Sequence, residues 1–106
     1  MTDSNLLESR WAAISARLVK DGADALVLST GFDLVYLSTY EARASERLTA
    51  FVGRPGSNEL PRMIVPKIEM PEVPKTSAFD VSGWTDDQDP IAMIVELIGD
   101  ARRVLV

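Results

Sequence analysis

The stretch DALVLSTGFDLVYLSTY, residues 24–40, decides how this chain folds. Its first part, Asp24–Ser29, is short, apolar on successive positions and bounded by turn formers, the pattern of a strand covered on both faces. STG then leads into FDLVYLS, apolar and aromatic and open to a helical reading, with Leu34 and Leu37 expected to pack against the sheet. Beyond it, TYEARASER, residues 39–47, changes to charge and hydroxyls. A strand buried on both faces needs a layer on each side, so the flanking sequence must supply helices.

Upstream, Asn5–Lys20 places Leu7, Trp11, Ile14 and Leu18 at helical spacing on one apolar face. Asn5 with Glu8 resembles a capping box, and Gly22 stands where a left-handed terminator belongs. Downstream, LTAFVG (48–53) and LPRMIVP (60–66) read as two strands of an antiparallel hairpin turned at RPGSNE, with Pro61 at a strand end or edge. KIEMPEVPK, residues 67–75, is expected to form a short helical turn at most, because Pro71 and Pro74 interrupt anything longer. A further strand is expected around Ala78–Ser82. After it come Asp89 as N-cap, Pro90 at the first helical position and Gly99 as the stop of a second well-marked helix. RRVLV begins another strand, and an apolar run without a polar cap at Val106 reads as a domain cut part-way. The expected fold class is α/β, a mixed β-sheet flanked by helices in a single domain spanning residues 1–106.

A chain of 106 residues with 46% hydrophobic and 25% charged residues buries one core and has no room for a second domain. Its net charge of -5 offers no basic footprint for nucleic acid. Apolar runs fall well short of the roughly 20 residues of a membrane span, and Met1–Asp3 lacks the start of a signal peptide, so a cytoplasmic protein without a membrane partner is expected. With no cysteine and no histidine, this sequence builds neither a thiolate nucleophile, nor an imidazole base, nor a His/Cys zinc site.

Few residues then remain as candidates. Gly31 lacks the spaced companions of a dinucleotide-binding turn, and reads as a plain turn glycine. Asp86, Asp87 and Asp89 suit the first turn of a helix without EF-hand spacing, and Trp84 suits a core plug between strand and helix. Tyr36, Tyr40, Glu41 and Arg43, with Glu46 and Arg47, crowd the end of the opening stretch. Two accounts of them stand open: a solvated loop with exposed ion pairs, or a surface offering guanidinium and carboxylate groups to a ligand or another subunit.

ALVLSTGFDLVYLSTY, the hairpin ending in MIVP, and VSGW followed by DP and a helix together resemble the N-terminal domain of the creatinase/prolidase family, over essentially the whole chain. Thr39 stands in the usual glycine place of that family's YLTGY pattern, and Pro71 and Pro74 interrupt a segment that is commonly helical. The resemblance implies a ribonuclease H-like domain preceding a catalytic domain of pita-bread fold, absent from residues 1–106, that holds a divalent metal pair. No cofactor is then expected in this chain. The implied parent is a cytoplasmic, dimeric Xaa-Pro dipeptidase or aminopeptidase, a metallopeptidase that cleaves proline-containing peptides with metal-activated water. Its N-terminal domain shapes substrate access and dimerisation, through a gating or partner-contact loop that here comprises Tyr36, Tyr40, Glu41 and Arg43. The alternative is a free-standing α/β interaction or small-ligand module without peptidase activity.

Overall fold

The computed structural model describes residues 3–42 and 47–106. Helix α1 (Ser4–Lys20) is followed by β1 (Ala25–Leu28), α2 (Phe32–Ser38), β2 (Ala50–Gly53), β3 (Arg62–Pro66), a 3-10 helix (Lys67–Glu72), β4 (Asp80–Trp84), α3 (Pro90–Ile98) and β5 (Val104–Leu105). The strands form one sheet in the order β4-β3-β2-β1-β5. β1 to β2 and β2 to β3 are antiparallel, while the outer pairs, β3 with β4 and β1 with β5, are parallel. The mixed sheet flanked by helices is the expected fold class, and β1 lies inside it.

The period of two divides the strand residues between two layers. Phe51, Met63 and Val65 join Leu26 under α1 and α2, with Leu7, Leu18, Leu34 and Leu37 pressing down on them. Trp11 and Phe79 flank Phe51 edge-on, with ring centroids 5.9 and 6.2 Å away. The indole of Trp11 lies directly over Gly53, where any Cβ would collide with it. On the opposite face Ala50, Val52, Ile64 and Trp84 pack against Ile94 of α3. Trp84 is the core plug its position suggested, and its indole N–H donates to the Leu48 carbonyl at 2.9 Å.

Several boundaries differ from the sequence reading. Asp3, not Asn5, caps α1, accepting from the Leu6 N–H at 3.1 Å. β4 starts two residues later than expected, because it is the run from Asp80 that pairs with Arg62–Pro66. The segment after β3 is a six-residue 3-10 helix with Pro71 inside it, longer than one turn. The Asp89 cap, Pro90 at the start and Gly99 at the end of α3 stand where the sequence put them.

β5 is held at its entry by Asp24. Its carboxylate accepts the backbone N–H groups of Arg102 and Arg103, each at 3.0 Å, while its own N–H donates to the Arg103 carbonyl at 2.8 Å. The Arg103 and then the Arg102 backbone hydrogen bonds hold the carboxyl below the usual aspartate range. A depressed folded-state pKa gives a contribution that is full above the unfolded-state pKa and is lost as pH falls through the folded-state value. Asp24→Asn is therefore expected to lower the urea midpoint near neutral pH, with the gap from the parent sequence shrinking on acidification. A gap that stays constant down to about pH 2 would contradict this.

Candidate functional site

The run from Phe32 to Ala42 is built on a short helix with two different sides. Leu34 and Leu37 are fully buried, as expected, whereas Phe32 at the helix start is 95% exposed and Tyr36 is half exposed. The guanidinium carbon of Arg10 lies 4.3 Å from the centroid of the Tyr36 ring, and its Nη1 donates to the Tyr36 carbonyl at 2.8 Å. That stacked contact, on the order of 0.5–1 kcal/mol at an exposed site, ties α1 to α2.

Helix α2 ends at Thr39, in the left-handed conformation at φ 62°, with its N–H donating to the Val35 carbonyl at 2.7 Å. The reversal turns the chain inward. Tyr40 is consequently buried, and its hydroxyl donates to Glu69 Oε1 of the 3-10 helix at 2.7 Å. Ser38 locks the corner by donating to the Leu34 carbonyl at 2.6 Å and accepting the Tyr40 N–H at 3.1 Å. Glu41 is exposed just beyond, and Arg43 lies outside the described residues.

The four sequence-selected residues thus do not converge on one point. Tyr36 meets Arg10, Tyr40 meets Glu69, and Glu41 faces solvent. Arg10 and Glu69 escaped the sequence reading because each lies more than twenty residues from its partner. The acidic run before α3 is accounted for locally: Asp89 accepts the Ile91 N–H at 3.0 Å, Asp86 pairs with Arg47, and Asp87 accepts the Thr85 hydroxyl. That hydroxyl, followed by a backbone N–H, holds the Asp87 carboxyl below its usual range. Among the described residues no group of three or more His, Cys, Asp or Glu is placed to hold a metal ion.

The Creatinase/Prolidase N-terminal domain family matches residues 10–106. The chain belongs to that family. The "Probable dipeptidase PepE" of Mycobacterium tuberculosis and that of Mycobacterium bovis are each 30% identical to it over 103 residues, 93% of this chain. The chain spans 27% of the length of these curated relatives. The crystal structure of dipeptidase PepE from Mycobacterium ulcerans, also 30% identical, superposes with a TM-score of 0.75 over 92% of this chain and 27% of its own. The creatinase/prolidase N-terminal domain of an X-Pro dipeptidase from Streptococcus pyogenes has the same fold at 20% identity, with a TM-score of 0.77 over 92% of this chain and 74% of that one.

Thr39 is the non-glycine residue at positive φ among the described residues, with an energetic consequence. A β-branched residue in the left-handed region costs about 1–2 kcal/mol, which glycine avoids at the expense of roughly 0.4–1 kcal/mol of extra unfolded-state freedom. Thr39→Gly should therefore stabilise the fold by about 0.5–1 kcal/mol and raise the Tm by about 2–8 °C. An unchanged or lower Tm would show that the Thr39 hydroxyl, which donates to the Ser38 carbonyl at 2.6 Å, outweighs the strain.

Proposed function

We propose that this chain acts as the N-terminal, non-catalytic domain of a longer, cytoplasmic, metal-dependent Xaa-Pro dipeptidase, shaping substrate access and dimerisation. The observation that carries the reading is the family match, joined to a span of 27% of the dipeptidase relatives. The metal pair of such an enzyme activates water when bound. The residues here do not fit it: the sequence has no histidine or cysteine, and no cluster of candidate ligands occurs among the described residues. On this reading the metal pair is held by a separate catalytic domain, for which a reading frame beyond Val106 with spaced Asp, Asp, His, Glu and Glu is the sign.

This chain's part is positional. The buried Tyr40, bonded to Glu69, fixes the root of the connection, and Glu41 next to it is exposed. Glu41 and Arg43 supply a carboxylate and a guanidinium, groups suited to a peptide terminus or to a charged partner surface. Tyr36, braced by Arg10, forms the flank of the same loop. A double Glu41→Ala, Arg43→Ala change in the full-length parent is expected to lower kcat/KM on an Xaa-Pro dipeptide by about tenfold, or to weaken the dimer by a similar factor. Unchanged turnover and an unchanged dimer would remove the loop from both roles.

A further inference from the structure

α3 leaves one corner of its sheet face uncovered, and that corner is a groove. Two adjoining depressions, of about 410 and 420 Å³, lie between the C-terminal half of α3, the β2–β3 turn and the start of β3 and β4. They share Arg54, Glu59, Arg62 and Leu97. Leu60, Met93 and Leu97 give apolar surface over the buried Val52 and Ile64, while Glu96 of α3 lines one depression and Asp80 the other. Arg62 is fixed on the sheet: its Nη1 donates to Ser82 Oγ at 2.7 Å and its Nη2 lies 3.6 Å from Asp80 Oδ2. Those two contacts leave part of its five-donor fork unused. Arg54 reaches Asp100 at 3.5 Å, an exposed pair that holds the guanidinium only loosely.

The charges select the ligand. Two guanidiniums face three carboxylates, Glu59, Asp80 and Glu96, so a plain anion meets net repulsion and a plain cation leaves the arginines unused. A zwitterion with an apolar side chain matches all three features: carboxylate to arginine, ammonium to glutamate, side chain to the apolar surface. We propose that this groove is a binding site for a small α-amino acid with an apolar side chain, separate from the Tyr36–Arg43 loop and independent of any peptidase activity.

The test is an amide NMR titration of the 106-residue chain with leucine. Saturable shifts are expected at Val52, Arg62, Ser82 and Leu97, with N-acetylleucine, which lacks the ammonium, binding at least about tenfold more weakly. Glu96→Gln and Arg54→Gln, both at exposed or loosely held positions, should each weaken leucine by about tenfold while leaving the spectrum folded. Arg62→Gln is the harsher variant, because it also removes the bond to Ser82. Absence of saturable shifts, equal affinity for N-acetylleucine, or indifference to both Glu96→Gln and Arg54→Gln would overturn the proposal.

Discussion

The structure depends on one constraint: β2 and β3 are apolar on both faces, so each face of the sheet must be covered. Phe51 and Met63 point to one layer, Val52 and Ile64 to the other, and all four are nearly fully buried. α1, α2 and the 3-10 helix share the first face, and the close seat of Trp11 on Gly53 shows how tightly it is closed. On the second face, among the described residues, α3 is the helix that covers the sheet, with Leu48 packing beside it. At nine residues it is about 13 Å long. It packs on Ala50, Val52, Ile64 and Trp84 and leaves depressions over the start of β3 and β4. The sheet resolves the shortfall with side chains: where the helix does not reach, β3 and β4 carry Arg62, Asp80 and Ser82 instead of apolar residues.

The same constraint explains what could be read from the sequence. β1 declared itself by an unbroken apolar run, and α1 by Leu7, Trp11, Ile14 and Leu18, because burial on two faces or on one leaves different periods. α3 was legible from Asp89, Pro90 and Gly99, whose backbone preferences act locally. The misplaced α1 cap and β4 start share a cause, since several neighbouring residues could serve and the choice falls to pairing and packing. The 3-10 helix was underread because proline forbids a regular α-helix there without forbidding tighter turns.

The candidate loop was legible only in part. Its burial pattern at Leu34 and Leu37 follows from spacing, but the inward turn of Tyr40 depends on Thr39 taking a conformation that its side chain disfavours. Nothing in the local sequence announces Arg10 under Tyr36, Glu69 at the Tyr40 hydroxyl, or the corner formed by Arg62 and Ser82. These are products of topology, joined across 20 residues or more.

On the proposed reading this domain is a positional part of a longer enzyme, and catalysis is assigned to another domain. The direct measurement is hydrolysis of an Xaa-Pro dipeptide by the purified 106-residue chain in the presence and absence of added divalent metal. The account predicts no turnover above background in either condition. Metal-dependent release of proline by this chain would contradict it.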